Sequence, residues 1–291
     1  MYQHLYKSYT NTCLIFLYFI YIYIIMLYSH SLKGRRDQNE DQHFMYNNIN
    51  GASTKNAKVC YLSVYDGHGG KLVSNYLKKN LPKFFISKNL EKIYNDRNKS
   101  IRYFKKVFNL VESNLEKEHP KAVFYCGSTS CNAIIFNQKN QKIGMWVINV
   151  GDSRAILCDK NGMSKSLSED HKPNSVKEKK RITSLGGKIR YDGCDWRVKD
   201  LSVSRAFGDK ESKPFISHLP DVSKFTLNSH DKFVILACDG LWDVLSNQHV
   251  CNFVLNLRKK GFKGNYAKQL AEYGYNQGSY DNISVVIYFM N

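Results

Sequence analysis

The sequence predicts an α+β domain, on three observations. Amphipathic helical periods come in pairs, near residues 72–85 and 101–115 and again near 246–259 and 266–275. Strand-like runs lie between and after these pairs, so helices and strands are grouped rather than alternated as in a βαβ repeat. The 291 residues are 43% hydrophobic with five prolines and no low-complexity tract, enough for one large core and without a visible linker.

Taken in order, the chain opens ambiguously. From Ser8 to Leu32 there is no formally charged residue, and Cys13 to Tyr28 is almost wholly apolar or aromatic, close to the ~20 residues a membrane-spanning helix needs. The stretch from about Ile24 to Leu32 reads equally as a first strand. Two readings of residues 1–23 stay open: a membrane-associating extension, or a segment packed on a domain of residues 24–291. No small-residue cleavage site follows, and Tyr2 excludes N-myristoylation. Val59 to Tyr65 then reads as a buried strand, and Leu72, Val73, Tyr76, Leu77, Leu81 and Phe84 as one face of a helix. Residues 88–100 lack a period and read as a loop, before Ile101, Phe104, Phe108, Val111 and Leu115 mark a second helix.

Beyond Tyr125 the spacing changes. Ser130 to Phe136, Gly144 to Val150 and Arg154 to Cys158 predict a meander of antiparallel strands divided by polar and Gly-Asp turns. Glu169 to Arg197 reads as a short helix followed by an irregular flap. A strand at 233–238, two helices and a last strand at 283–289 finish the chain. No internal repeat is visible.

The formal charge is +18, but lysine is spread along the chain and the densest runs, such as Lys177 to Arg181, are short. A nucleic-acid binder gathers its basic residues in one stripe, so no nucleic-acid partner is expected; a field of this sign favours encounter with anionic proteins instead. The eight cysteines form no CxxC pair, which points to reduced thiols and a cytoplasmic setting.

The chemistry sits in four acidic signatures: Arg36-Asp37-Gln38-Asn39-Glu40-Asp41, Asp66-Gly67-His68-Gly69-Gly70, Asp239-Gly240-Leu241-Trp242-Asp243, and Asp281-Asn282. The last three adjoin strand-like runs. Carboxylates delivered to strand ends from distant parts of a chain are how a fold gathers hard oxygen ligands for Mg²⁺ or Mn²⁺. Gly67 permits a tight turn that can present its carbonyl to a cation. Arg36 offers a planar donor fork for phosphate oxygens, and Glu40 and Asp41 could hold metal-bound waters. Each Asp-Gly alone is also an ordinary turn dipeptide.

With Gly127-Ser128-Thr129, Asn149-Val150-Gly151-Asp152-Ser153-Arg154, Leu167 to Pro173 and Leu201 to Asp209 added, the chain resembles the metal-dependent serine/threonine protein phosphatases of the phosphatase 2C type, over about residues 28–291. The resemblance implies a four-layer α/β/β/α sandwich, two central antiparallel sheets flanked by helices. It implies that Asp66 bridges two Mn²⁺ or Mg²⁺ ions, that Asp239, Asp281 and the Gly67 carbonyl complete their protein ligands, and that Glu40 and Asp41 act through water. Arg36 would hold the phosphate, His68 would be the general acid, and Asp152 would join Asp239 at a weaker third metal site. A hydroxide activated between the two ions would attack phosphorus of phosphoserine or phosphothreonine directly. No Cys-x5-Arg loop offers a thiolate alternative. The expected partners are phosphoprotein substrates, and the expected state is a monomer. Two competing readings remain, a pseudophosphatase that binds phosphoproteins without turnover and a two-metal nuclease. The first predicts a lost carboxylate, yet Asp66, Asp239 and Asp281 are all present; the second predicts a clustered basic stripe.

Overall fold

The computed structural model describes residues 27–49, 57–87, 90–138 and 142–290. In chain order its strands are β1 (Leu27–Leu32), β2 (Gln42–Asn47), β3 (Val59–Tyr65), β4 (Gly67–His68), β5 (Gly127–Ser128), β6 (Ser130–Asn137), β7 (Ile143–Val150) and β8 (Arg154–Cys158). They continue as β9 (Ser164–Ser166), β10 (Ile189–Tyr191), β11 (Trp196–Val198), β12 (Phe207–Gly208), β13 (Asp221–Leu227), β14 (Phe233–Ala237) and β15 (Ile283–Phe289). The helices are α1 (Leu72–Phe85), α2 (Glu91–Asn95), α3 (Arg97–Glu118), α4 (Val176–Ser184), α5 (Asp239–Trp242), α6 (Asn247–Lys259) and α7 (Tyr266–Asn276).

Two five-stranded sheets form the centre, in the orders β13-β7-β6-β3-β2 and β1-β15-β14-β8-β9. Every pairing in them is antiparallel. Side chains alternate across a strand, and here each face meets a different layer. On β3, Val59, Tyr61 and Tyr65 pack under α1 and α3 with Phe85, Phe104 and Trp146, while Cys60, Leu62 and Val64 face the other sheet. On β14, Val234 and Leu236 enter that inter-sheet core, while Phe233, Ile235 and Ala237 face the layer of α6 and α7. Burial on both faces is why these strands read as continuous apolar runs rather than alternating ones. The result is the α/β/β/α sandwich.

Several elements differ from the sequence reading. Residues 88–100 are not simply a loop: α2 forms and α3 begins at Arg97, because Asp96 caps it by accepting a hydrogen bond from the Lys99 amide (3.0 Å). Buried Tyr94 anchors α2, donating to the Phe85 carbonyl at 2.7 Å. The strands from Ser130 to Cys158 are not one meander. β6 and β7 pair with each other, but β8 pairs with β14 in the opposite sheet. The chain crosses between sheets at Gly151, whose φ of +99° lies where glycine is at ease, and this crossing places Asp152 between the layers. Strand β13 was absent from the sequence reading because its polar residues sit on a sheet edge. The first strand starts at Leu27 among the described residues. The proposed extension 1–23 and the residues 24–26 lie outside them, and no described helix is long and apolar enough to cross a membrane.

The flap is a helix, α4, and a small hairpin, β10–β11. It is tied down by a buried ion pair: Arg205 donates through Nε (3.1 Å) and Nη2 (2.5 Å) to Glu178 Oε1, the two side chains being 8% and 1% exposed. Burial alone would raise the Glu178 pKa, but Arg205 and then Arg181 outweigh it and hold it at about 2. We expect Arg205→Leu, which leaves the buried carboxylate with Arg181 and the Ser204 hydroxyl but without its most buried cation, to lower stability by about 1.5–3 kcal/mol in urea denaturation. A carboxylate with a depressed folded pKa stabilises fully above its unfolded pKa, so this contribution is present above pH 4.5 and is lost as pH falls towards about 2. Glu178→Gln should accordingly flatten the acid limb of the stability profile.

Candidate metal centre

Ends of strands from both sheets meet in one open cleft of about 640 Å³. Asp66 follows β3, and its backbone is locked to the neighbouring strand: its amide donates to Thr129 Oγ1 (3.1 Å), and the Thr129 amide donates to the Asp66 carbonyl (2.8 Å). Gly67 follows in β4, and a Cβ there would strike the Glu40 carbonyl and Ser74. Asp239 follows β14 and opens the single turn α5. Next to it Gly240 passes so close to the Asn282 carbonyl that no side chain fits. Asn282 in turn staples two loops. Its Nδ2 donates to the Lys33 (2.7 Å) and Gln38 (2.9 Å) carbonyls, and its Oδ1 accepts from the Glu40 amide (2.8 Å).

Asp66, Asp152 and Asp239 each bring a carboxylate oxygen within 4.8 Å of the others, and Asp66 makes a second such group with Asp41 and the Cys238 sulfur. Like charges at this depth disfavour ionisation. Burial, and then the charges of Asp239, Asp41 and Asp152, hold the Asp66 pKa well above the carboxylate range. Asp239 is raised likewise, by burial and then by Asp152 and Asp243. Burial is also the main cause that pushes Asp41 up to about 6.

Buried polar groups in folded proteins are nearly always paired. Here both carboxylate oxygens of Asp41, and Oδ1 of Asp152, are buried without a hydrogen-bonding partner. These donors suit a hard divalent cation. A soft-metal thiolate site does not fit, because the Cys238 sulfur is occupied: it accepts from the Ser284 amide (3.1 Å) and donates to the Asn282 carbonyl (3.3 Å), and burial raises its pKa further.

The remaining predicted residues stand around this cluster. Asp281 and Arg36 line the cleft with Arg36 Nη2 donating to Asp281 Oδ2 at 2.5 Å, and the Arg36 side chain is 60% exposed. Glu40 lines it too, accepting from the Gly70 amide (3.2 Å). His68 lies beside it, with Nε2 2.8 Å from Asp209 Oδ2. Burial would lower the His68 pKa, but the charge and hydrogen bond of Asp209 outweigh this and raise it. Asp41 lies beneath the cleft rather than on its wall.

Three further residues were not singled out from the sequence. Asp209 is brought to His68 by β12, which pairs with β5 while β5 pairs with β4. Lys172 is hydrogen-bonded to Asp152 Oδ2. Asn282 makes the staple described above. All three lie inside quoted motifs, but their partners are 20 to more than 240 positions away.

The protein phosphatase 2C family model matches residues 26–283. The chain belongs to this family. Its members are metal-dependent protein serine/threonine phosphatases. Relatives include the probable protein phosphatase 2C 11 of Arabidopsis thaliana, 35% identical over 88% of this chain and 64% of that protein. Protein phosphatase 1L of Bos taurus is 32% identical over 89% of this chain and 70% of its own length. The solved serine-threonine phosphatase 2C of Toxoplasma gondii superposes with a TM-score of 0.77 at 23% identity, covering 91% of this chain and 94% of that one, and so shares the phosphatase 2C fold.

The crowding of acids has a consequence in solution. We expect saturating Mn²⁺ to raise the melting temperature, by about 5–10 °C at a hundred times its dissociation constant. Asp239→Asn, which removes one of the repelling charges, should raise the melting temperature of the metal-free protein and abolish the shift. An unchanged Mn²⁺ shift in that variant would mean the cation binds elsewhere.

Proposed function

We propose that this chain hydrolyses phosphoserine and phosphothreonine in proteins, using two Mn²⁺ or Mg²⁺ ions held by Asp66, the Gly67 carbonyl, Asp239 and Asp281. The observation that carries the reading is the convergence of buried and half-buried carboxylates, some of their oxygens unpartnered among the described residues, beside an exposed arginine fork. Glu40 and Asp41 would act through water, and Asp152 would share a weaker third ion with Asp239. Divalent cations at such a cluster lower the pKa of water and neutralise phosphoryl oxygens.

The side chains do the rest. Among the described residues Arg36 is hydrogen-bonded to Asp281, through Nη2, and its other donors could receive phosphate oxygens in a bidentate clasp. His68 is held at Nε2 by Asp209, which fixes the ring and leaves Nδ1 to deliver a proton to the departing serine or threonine oxygen. Asp209 is buried, so its charge is little screened and favours the protonated ring. Six of the seven described cysteines are buried and none is paired, which fits a reducing, cytoplasmic setting. A membrane role for the N-terminal stretch concerns residues outside those described.

The test is phosphate release from a phosphothreonine peptide by the full chain. We expect release with Mn²⁺ and none with excess chelator; no release from a folded protein would instead favour a phosphoprotein-binding role. Asp239→Asn should lower kcat by about a hundredfold or more. Arg36→Ala should raise KM about tenfold, as expected for loss of a charged bidentate contact.

A further inference from the structure

One wall of the cleft takes no part in the chemistry described above. The 3-10 turn Ala122–Phe124 ends in two exposed rings, Phe124 (38% exposed) and Tyr125 (67% exposed), packed edge to face with centroids 4.8 Å apart. Tyr125 lines the same cleft as His68 and Asp66. Its backbone is fixed there: a Cβ at Gly69 would strike the Tyr125 carbonyl, and Gly127, two positions on, pairs with His68. Tyr125 therefore stands in the cleft with His68, on a rigid stem, and Phe124 packs against its ring.

That position has a consequence for substrate. In the role proposed above, His68 hands its proton to the leaving oxygen, and that oxygen belongs to the serine or threonine of the substrate chain. The phosphate itself is received by Arg36, beside Asp281. The substrate polypeptide thus leaves the cleft on the His68 side, across Phe124 and Tyr125. Exposed aromatic surface rimmed by polar residues is a mark of recognition. Here the rim is charged in both signs: Lys121 begins the turn, and the 3-10 turn Lys210–Ser212 that packs against it carries exposed Lys210 and Glu211.

We propose that Phe124 and Tyr125 form a specificity ledge that takes an apolar side chain flanking the phosphorylated residue of a protein substrate. The proposal rests on the phosphatase reading. Its content is a preference in kcat/KM between substrates of identical chemistry, since discrimination is the difference in transition-state binding.

The experiment compares two phosphothreonine peptides that differ only in having leucines or glycines on both sides of the phosphothreonine, assayed with the full chain and Mn²⁺. The leucine peptide should be favoured about tenfold, mostly through KM, the size of one good aromatic contact. Tyr125→Ser and Phe124→Ser should each shrink that ratio, and Tyr125→Phe should preserve it. Equal efficiency on both peptides in the wild type would overturn the ledge and leave the phosphatase reading standing, as would a preference that survives both serine substitutions. No release from either peptide would sink the phosphatase reading and the ledge with it. The wild-type comparison decides even if a serine variant fails to fold.

Discussion

Repulsion among buried carboxylates is the constraint on which the rest of this structure depends. Buried Asp41 and Asp152 are brought together with half-buried Asp66 and Asp239 at the floor of the cleft, and a charge removed from water costs several kcal/mol unless it is paired. Local hydrogen bonds such as those between Asp66 and Thr129 fix their backbone, but the core supplies most of the energy that holds them there. Asp66 is the tip of β3 and Asp239 follows β14, strands from opposite sheets whose inward residues interlock in one apolar core. Each fully buried aliphatic side chain contributes about 1.5–3 kcal/mol, and β3 alone is buried along its whole length. The sandwich can therefore carry an electrostatic cost at its rim that a smaller core could not.

Two carboxylates around the cleft have cationic partners: exposed Asp281 with Arg36, and buried Asp152 with Lys172. Asp41 and Asp66 have no such partner among the described residues. In the proposed function a divalent cation would supply the missing positive charge there, and the exposed arginine would face an arriving phosphate. The glycines at 67 and 240 serve this arrangement sterically, because a side chain at either would push apart the loops that carry Glu40 and Asn282.

Most of the fold and of this site was legible in the sequence because both rest on local pattern. Apolar runs ending in Asp announced Asp66 and Asp239, and helical periods announced α1, α3, α6 and α7. What escaped depends on pairing at a distance. That β8 leaves its neighbours for the other sheet follows from one glycine crossing, which the apolar pattern of Arg154 to Cys158 cannot reveal. The edge strand β13 is only partly covered: Val222, Phe225 and Leu227 pack on the cores while its polar residues stay accessible, which leaves its apolar signal sparse. Asp209 and Lys172 stood in quoted motifs, yet a carboxylate or an ammonium does not name its partner; only the β12-β5-β4 ladder brings Asp209 to His68.

Rigidity and recognition are divided between different parts of the molecule. The carboxylates hang from strands packed on both faces, where a small displacement would be resisted by the whole core. The exposed aromatic rings lie on short turns and on the flap, where loops vary without disturbing a scaffold. The flap is anchored at its base by the Glu178–Arg205 pair, but the hairpin beyond it carries exposed Tyr191 and Trp196, whose rings pack on each other (5.4 Å). The turn bearing Phe124 and Tyr125 is built alike, fixed in backbone and bare in side chain. In the ledge proposed above, substitutions at Phe124 and Tyr125 would alter which phosphoproteins are accepted without touching a carboxylate, so substrate choice and hydrolytic chemistry would be free to change independently.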